Sequence, residues 1–328
     1  MVIEQQQRVG VLKIGLISNP NSQRNRRGLD DLRRASAQVP DLLHIESDGR
    51  CSLVEILAEL ARQEIGLLVL NGGDGTVQRV LTELFEARAF EMPPPIAILP
   101  RGMANTIASD VGLRGRAARA LSRLIDCVRA GEISRHVVKR HVLRVENIRE
   151  VPPQRGMLFG AAAIYDAIEF CCSKIYAVGF KGNLGMSLTL GGLLLSSLLG
   201  AGNGLNRGHD ISVALDDEPT IRRQRLVVLA TTLDRLNLRT QPFWSQGDGS
   251  IRFTSIAHPP ARLIRSTLKV LYGWRRATLP PDSYLSRGAE RITLRLDSPF
   301  TLDGELFEPS AEQPLVMTAR DSVSFVRL

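Results

Sequence analysis

The chain has 328 residues, of which 44% are hydrophobic and 23% are charged, which is long enough for two domains and typical of a soluble globular protein. Its formal net charge of +8 and its pI of about 9.8 indicate a polyanionic partner, either nucleic acid or an anionic membrane leaflet. Aromatic residues make up only 5% of the chain, and no helix-turn-helix, RNP pair or zinc-finger spacing occurs, so nucleic acid is not expected as a partner.

The amino terminus and the scattered metal-binding residue types exclude several other classes. Residues 1–8 lack a basic segment followed by an apolar core, so we expect a cytoplasmic protein rather than a secreted one. The cysteines show no metal-ligand spacing and fit reduced, packed side chains. They are Cys51, Cys127, Cys171 and Cys172. The five histidines are equally scattered and do not support a zinc site or a histidine-based triad.

The first part of the chain alternates predicted strands and helices. Residues 11–17 predict the first strand, and Ser52 with Glu55 forms a capping box that opens a helix to about Gln63. Residues 65–70 and 95–99 are short apolar runs typical of buried parallel strands. A helix over residues 116–129 follows.

The later part of the chain changes to short β-rich segments. These segments are residues 137–145, 222–231, 250–255, 291–296 and 323–326. We therefore place a domain boundary near residue 135. The expected architecture is an α/β domain with a parallel sheet over residues 1–135, followed by a mostly antiparallel β domain over residues 136–328, with the active site in the cleft between them.

A glycine-rich turn lies between the predicted strand 65–70 and the next helix. Three glycines surround one carboxylate, Asp74, and Thr76 follows. Without Cβ atoms, the backbone amides of such a turn can approach a phosphate, and the helix N-terminus adds partial positive charge. Asp74 alone would repel phosphate, so a magnesium ion, a hydroxyl or a basic residue is expected nearby. The alternative is an ordinary βα turn in which Asp74 only caps a helix.

A second loop follows the predicted strand 95–99. Residues 100–106 stand where the next helix should begin, and two loops at the carboxyl ends of neighbouring strands favour a nucleotide crevice. The sequence contains no Gly-x-x-x-x-Gly-Lys-Ser/Thr, and no Gly-x-Gly-x-x-Gly follows a strand. A P-loop enzyme and an ordinary dinucleotide-binding fold are therefore both disfavoured.

The ordered series of motifs resembles the diacylglycerol kinase catalytic family, which includes bacterial soluble lipid kinases and the sphingosine and ceramide kinases, with the NAD kinases as distant relatives. The resemblance spans roughly residues 11–308. The matching motifs are Ser18-Asn19-Pro20, Gly72-Gly73-Asp74-Gly75-Thr76, Leu99-Pro100-x-Gly102-x-x-Asn105, Tyr165-Asp166-Ala167, Gly247-Asp248-Gly249 and Leu302-Asp303-Gly304-Glu305.

The resemblance implies an NAD kinase/diacylglycerol kinase-like fold and transfer of the ATP γ-phosphoryl group to a lipid hydroxyl, most simply that of diacylglycerol. The implied nucleotide-binding residues are Asn19, Gly72, Gly73, Gly75, Thr76, Gly102 and Asn105. Asp74 would organise Mg²⁺ through water. The implied partners are a nucleotide and a lipid at an anionic membrane surface, so the protein would associate peripherally with the inner face of the membrane. The sequence does not indicate an oligomeric state.

The late motifs supply the implied acid and base groups. Asp303 resembles the general base of the family, which accepts the proton as the lipid oxygen attacks, and Glu305 would support the metal or the base. The Asp303-Gly304 pair also predicts a hairpin turn, and both interpretations are compatible. Asp248 resembles a residue that holds a structural magnesium ion with backbone carbonyls of its own loop. Asp166 matches more weakly, because it fits a simple helix cap after a strand.

The chain departs from the family pattern at the two phosphate loops. It has Met103 and Thr106 where the family usually has Thr and Asp, and Gln78-Arg79 where the family usually has Asn-Glu. Arg79 and Arg101 bring positive charge toward these loops and are expected to bind phosphate directly or to mark an altered substrate. The alternatives are a ceramide or sphingoid-base kinase, an NAD kinase-like enzyme, and a non-catalytic sensor of lipid or nucleotide.

Two segments point toward membranes. Residues 184–202 carry no charge and eight leucines, but serines, Thr189 and glycines dilute the run, so we favour a buried or lipid-facing helix over a true span. Residues 261–276 place Arg262, Arg265 and Lys269 on one helical face and apolar residues on another. That pattern fits an interfacial helix, or an ordinary amphipathic helix whose apolar stripe faces the core.

Overall fold

The computed structural model describes residues 12–170, 208–244, 247–262, 266, 269–272 and 279–328. These residues form two compact units. One unit holds the described chain up to Arg140 together with Ser322–Leu328, and the other holds His141–Asp321. Each unit is built around a sheet of its own.

The first unit alternates strands and helices as the sequence predicts. Its elements before the switch to the second unit are β1 (Ile14–Ser18), α1 (Asp30–Ala37), β2 (Leu42–Glu46), α2 (Leu53–Arg62), β3 (Leu67–Gly72), α3 (Asp74–Glu86), β4 (Ile96–Pro100), α4 (Thr106–Val111), α5 (Ala117–Arg129) and β5 (Val137–His141). The predicted capping box at the start of α2 is confirmed, since the Ser52 hydroxyl accepts from the Glu55 amide and the Glu55 carboxylate accepts from the Ser52 amide.

The first sheet has the strand order β2-β1-β3-β4-β17-β5, where β17 is Ser322–Val326. The pairs β1–β2, β1–β3, β3–β4 and β4–β17 are all parallel. Every residue of β1 and β3 is buried, as expected for strands covered on both faces. Parallel strands align their carboxyl ends at one edge, so the loops after β3 and β4 start side by side.

The last strand corrects the predicted domain content. The sequence analysis assigned residues 323–326 to the β-rich second domain, whereas Phe325 and Val326 pair with Ile96 and Ala97 in the first sheet. A short apolar strand fits the buried face of either sheet, so its composition does not name its partner. In the same way, the predicted strand 137–145 is divided between the two sheets, with β5 in the first and β6 (Leu143–Glu146) in the second.

The second unit is mostly β structure. After β6 its described elements are β7 (Gln154–Gly156), β8 (Leu158–Ala162), α6 (Ala163–Phe170), β9 (His209–Leu215), β10 (Ile221–Thr231), β11 (Ile251–Ala257), β12 (Tyr284–Ala289), β13 (Arg291–Leu296), β14 (Phe300–Leu302), β15 (Glu305–Phe307) and β16 (Leu315–Thr318).

These strands pair antiparallel in the order β15-β14-β8-β10-β9-β13-β16-β6-β7, with β11 and β12 branching from β10. The core of this unit includes stacked phenylalanines, with the ring centroids of Phe159 and Phe300 5.1 Å apart. A parallel α/β domain followed by an antiparallel β domain is the predicted fold class, which is confirmed.

Several sequence predictions fall outside the described residues. These are the leucine-rich stretch 184–202, the pair Cys171 and Cys172, and much of the segment 261–276. Within the part of that segment that is described, Val270 is buried while Leu271 and Tyr272 are exposed. Among the described residues, no helix combines the length and apolar character that crossing a bilayer requires.

Candidate active site

The glycine turn after β3 folds tightly onto the first turn of α3. A Cβ atom added to Gly72 would lie 2.6 Å from the Thr76 side chain, so only glycine fits there. Gly73 is the N-cap residue of α3 and has no side chain to satisfy the first amides of the helix. Gly75 lies in the first turn of the same helix. The phosphate-loop hypothesis places an anion at this end of the helix, because the first amides of a helix favour negative charge.

The loop after β4 is closed by its own asparagine. The Gly102 amide donates to Asn105 Oδ1 at 2.8 Å, and Asn105 Nδ2 donates to the Gly102 carbonyl at 2.8 Å. Asn105 itself has the left-handed φ of 51°, which asparagine tolerates better than most residues. This ring fixes the position at which α4 begins.

The two loops touch backbone to backbone. A Cβ added to Gly73 would lie 2.8 Å from Gly102 Cα, and one added to Gly102 would lie 2.5 Å from Gly73 Cα. The Arg101 amide also donates to the Gly72 carbonyl at 2.8 Å. The structure thus brings together the two loops that the sequence placed at neighbouring strand ends, and glycine on both sides makes this approach possible.

Asp74 joins the second loop to the first. Its carboxylate accepts hydrogen bonds from the Thr106 amide at 2.9 Å and the Ile107 amide at 3.0 Å. These are the first amides of α4, so Asp74 caps the neighbouring helix as well as starting α3. Asp74 thus caps a helix, as the alternative interpretation of the turn predicted. The capped helix is α4, and its residue Thr106 lies 32 positions further along the chain. Burial raises the pKa of Asp74 to about 6, against the opposing effect of the backbone donors.

A buried amide cluster supports the turn from below. Asn19 Nδ2 donates to Thr76 Oγ1 at 2.9 Å, so these two predicted residues lie together. Asn25 Nδ2 donates to the carbonyls of Asn19 and Asn71, at 2.8 and 3.1 Å. The sequence analysis missed Asn25 and Asn71, because only the fold brings them beneath the loop.

A histidine continues this cluster toward β2. Asn71 Nδ2 donates to Ser18 Oγ at 2.9 Å, and His44 Nε2 lies 2.8 Å from that same oxygen. His44 Nδ1 lies 3.0 Å from Ser36 Oγ. Burial lowers the pKa of His44, which favours the neutral ring in this position. The histidine thus braces β1 and β2 against α1.

The two predicted basic residues occupy different environments. Arg101 is half-buried beside the loops, where its Nη2 donates to the Gly28 carbonyl at 3.2 Å and its Nε is buried without a hydrogen-bond partner. Burial, together with the nearby charge of Arg24, lowers the pKa of Arg101. Arg79 is exposed on α3, whereas its neighbour Gln78 is buried and bonds Thr82. Arg101 is therefore placed to compensate an anion at the loops, and Arg79 lies more than one turn beyond the start of the helix.

The described carboxylates suit a magnesium ion that is bound mainly by other ligands than the protein. No group of three or more histidine, cysteine or acidic residues with metal-binding geometry occurs in the described ranges. A magnesium ion bound mainly by nucleotide phosphates and water needs only one or two protein carboxylates. Asp74 is a single carboxylate of this kind, since a carboxylate has about four acceptor positions and the backbone donors to Asp74 are the amides of Thr106, Ile107 and Asn105.

In the second unit, Asp303 lies in the turn between β14 and β15. Leu302 pairs with Glu305, and Asp303 and Gly304 have φ angles of 52° and 90°, so the predicted two-residue hairpin is confirmed. The Asp303 carboxylate accepts from the Met157 and Leu158 amides, each at 2.9 Å.

Two other predicted carboxylates of this unit, Glu305 and Asp248, are exposed. Glu305 is exposed on β15, at the edge of the sheet. Asp248 is exposed in a turn that packs tightly, since a Cβ added to Gly249 would lie 2.4 Å from the Ala289 amide nitrogen.

A buried acid and histidine form a pair that the sequence did not predict. Asp166 Oδ2 lies 3.0 Å from His209 Nε2, and both side chains are about nine-tenths buried. Asp166 stands inside the first turn of α6, so it is not the simple cap residue considered from the sequence. The two residues are 43 positions apart, and no local pattern signals their contact.

Comparisons with known proteins agree with this description. Residues 13–134 match the family model of the diacylglycerol kinase catalytic domain. Over these residues the chain is thus similar to the catalytic domain of diacylglycerol kinases, which confirms the resemblance drawn from its motifs in this part of the chain. No curated protein matches the sequence.

Solved structures share the fold over nearly the whole chain. A diacylglycerol kinase from Bacillus anthracis str. Sterne has 14% identity and a TM-score of 0.60, with 96% of each chain covered. A protein of the same strain, provisionally assigned as a diacylglycerol kinase, has 17% identity and a TM-score of 0.64, also with 96% of each chain covered. Yeast NADH kinase complexed with NADH has 12% identity and a TM-score of 0.50, covering 98% of this chain and 84% of that one. At these identities the likeness establishes the fold alone.

Proposed function

We propose that the protein is an ATP-dependent lipid kinase, with diacylglycerol or a related lipid alcohol as the acceptor. The observation that carries the proposal is the contact between the glycine loops at Gly73 and Gly102, which lies inside the segment that matches the kinase family. Two amide-rich loops clasped at the carboxyl edge of a parallel sheet suit a polyphosphate.

In this proposal the first unit binds and orients the nucleotide. The backbone amides around Gly72, Gly73 and Gly75 contact the phosphates, while Thr76, held by Asn19, presents its hydroxyl at the start of α3. Gly102 and Asn105 limit the site from the second loop. Arg101 supplies positive charge where its buried Nε has no hydrogen-bond partner. Arg79 is assigned a weaker, peripheral phosphate contact because it is exposed further along α3.

Mg²⁺, when bound, neutralises charge on the nucleotide phosphates. Asp74 would hold the ion through water from a carboxylate whose position is fixed by two amides of α4. Asp248 is proposed to hold a second, structural ion with carbonyls of its own turn.

Asp303 is proposed as the general base. As the lipid hydroxyl oxygen forms a bond to the γ-phosphorus, its proton passes to the carboxylate of Asp303, and the bond to the bridging oxygen of ADP breaks. Two backbone amides hold that carboxylate in one orientation, which reduces the cost of aligning it in the transition state. Glu305, which pairs with Leu302 across the hairpin, would orient the base or a metal-bound water. A lipid acceptor implies peripheral contact with the inner leaflet of the membrane.

The direct test is transfer of label from γ-labelled ATP, with Mg²⁺, to lipids in mixed micelles. The panel contains diacylglycerol, monoacylglycerol, ceramide and sphingosine, with NAD as a soluble acceptor. We expect label on diacylglycerol or on one related lipid. Label on NAD alone would move the protein to NAD kinase-like chemistry, and nucleotide binding without any transfer would contradict the kinase proposal and favour a sensor.

A further inference from the structure

A cluster of arginines surrounds the N-terminal end of α5, which we call the arginine patch. It consists of Arg114, Arg116, Arg119 and Arg123. All four residues are exposed. Together with Gly115 and Ser122 they line a depression of about 660 Å³, and no acidic residue takes part in its lining.

The arrangement of the patch follows from the amphipathic pattern of α5. Ala117, Ala120, Leu121, Leu124 and Ile125 form the buried face of the helix. Arg116, Arg119 and Arg123 recur at spacings of three and four on the other side, so they lie along one exposed face. The patch is thus a fixed feature of the first unit rather than a set of independent surface residues.

The loop before the helix is equally well anchored. The buried Leu113 donates its amide to the Ile98 carbonyl of β4 at 2.9 Å, and the Arg114 amide donates to the Leu328 oxygen at 3.3 Å. The Arg123 guanidinium donates to the Arg114 carbonyl. These contacts hold the loop arginine and the helix arginines on one surface.

The charges of the patch are not neutralised within the described part of the chain. Several other exposed arginines of the first unit pair with acids, as Arg34 does with Asp31, Arg62 with Glu59 and Arg135 with Glu132. The four patch arginines form no ion pair among the described residues, and the first turn of α5 contains no acid. The nearest acid on the helix is the exposed Asp126, beyond Arg123.

We propose that the arginine patch docks the protein onto the phosphate headgroups of an anionic lipid leaflet. The inference rests on the proposed lipid kinase function, since a lipid acceptor must be reached at a bilayer. Four exposed, unpaired cations on one rigid face match a surface of closely spaced phosphates better than a single bound anion. The low aromatic content and the broad, open shape argue against a nucleic-acid groove.

The test measures binding of the whole protein to sedimenting vesicles. Vesicles of phosphatidylcholine alone are compared with vesicles in which about one third of the lipid is phosphatidylglycerol, at about 0.1 M salt, where screening still permits surface attraction. We expect binding only to the anionic vesicles. Changing all four patch residues to glutamine should lower the partition coefficient at least about tenfold, because each arginine near an anionic surface contributes favourably.

A second variant separates the patch from net charge. Arg34, Arg50, Arg62 and Arg135 are exposed arginines paired with acids elsewhere in the first unit. Changing these four to glutamine removes the same charge but leaves the patch, so vesicle binding should change less than about threefold if the patch is the docking surface. Equal losses in the two variants would show a general charge effect and overturn the proposal.

Activity in neutral detergent micelles distinguishes failure of docking from failure of the kinase proposal. The patch variant should phosphorylate micellar lipid at the wild-type rate but lose activity on anionic vesicles. Wild-type protein that transfers no label in micelles contradicts the kinase proposal, whatever the vesicle result. Unchanged vesicle binding by the patch variant overturns the docking proposal, as does tighter patch-dependent binding to a nucleic acid duplex than to vesicles.

Discussion

The Asp303 carboxylate is held by two backbone amides, and that contact determines what a substitution there will do. Both carboxylate oxygens accept hydrogen bonds, from Met157 and from Leu158. The same side chain is the proposed base. A substitution therefore tests the chemical role only if the effect on the hairpin is measured beside it.

We expect Asp303→Asn to lower kcat by about 10² to 10⁴, the usual contribution of a general base. Asparagine accepts one of the two amide bonds and tolerates the positive φ, so the cost in the free energy of unfolding should be about 1–3 kcal/mol. Nucleotide affinity, measured by calorimetry, should stay within a few-fold. A variant of reduced thermal stability that keeps its kcat would show that Asp303 anchors the hairpin and is not the base.

A second prediction at the residue scale concerns Asp74. Its pKa of about 6 means that the carboxylate ionises within an accessible pH range. The Mg²⁺-dependent part of ATP affinity should therefore strengthen as the pH rises through about 6, and Asp74→Asn should remove this dependence. Calorimetric titrations between pH 5 and 8, with and without Mg²⁺, measure it, and an identical pH profile in the variant would reject the assigned role.

The effect of Asp74 on protein stability should have the opposite pH dependence. The native pKa lies above the ordinary value of 3.8, so the native state binds more protons than the unfolded chain between 3.8 and about 6. By linkage, the contribution of Asp74 to the free energy of unfolding falls as the pH rises through that window. The difference in unfolding free energy between wild type and Asp74→Asn should change with pH between 3.8 and about 6, and should become constant at higher pH.

At the scale of the elements, the site depends on how closely two loops approach. Gly73 and Gly102 lie so close that a Cβ atom added to either would be 2.8 or 2.5 Å from the Cα atom of the other. Asp74, at the start of α3, caps α4. The atoms nearest to a Cβ at this contact belong to the backbone of the other loop. A side chain there would therefore shift the two loops and α4.

We expect Gly102→Ala to separate the loops and weaken nucleotide binding at least about tenfold, with a stability loss of about 1–3 kcal/mol typical of overpacking. Gly28→Ala is the matched control, because its Cβ would lie 3.5 Å from the nearest atom, the Arg24 carbonyl oxygen. Calorimetry with ATP and thermal unfolding measure both effects. Wild-type affinity in Gly102→Ala would show that the loop contact is not needed for nucleotide binding.

At the scale of the whole molecule, the chain leaves the first sheet after β5 and returns to it with β17. The returning strand lies between β4 and β5, so the sheet of the first unit is completed by residues that follow the β-rich unit. Phe325 is fully buried in this strand and pairs with Ile96, the first residue of β4, the strand that ends at Pro100 and leads into the second loop.

We expect Phe325→Ala to lower the free energy of unfolding by about 3–5 kcal/mol, as for other fully buried phenylalanines. Nucleotide affinity should fall with it, although the residue is remote in sequence from every phosphate loop. Ser324→Ala, on the half-buried side of the same strand, should leave both quantities nearly unchanged. Denaturant unfolding that gives equal stability for the two variants would contradict the assigned role of β17.

The amount that the sequence predicts differs between local and long-range features. The strands before the phosphate loops, the capping box at Ser52 and the hairpin at Asp303 and Gly304 depend on neighbouring residues, and their patterns predict them well. The contact of Asp166 with His209 and the amide cluster of Asn25 and Asn71 join distant positions, so no periodicity indicates them.

The sequence by itself determined the alternation of elements, the two glycine loops at the strand ends and the resemblance of their order to a kinase family. Those features are encoded in backbone propensities and in residues that stand next to one another. Only the tertiary structure decided that Asp74 caps α4, that β17 completes the first sheet and that Asp166 lies against His209. Each of these contacts gains its stability from burial or from hydrogen bonds between segments, which the fold alone brings together.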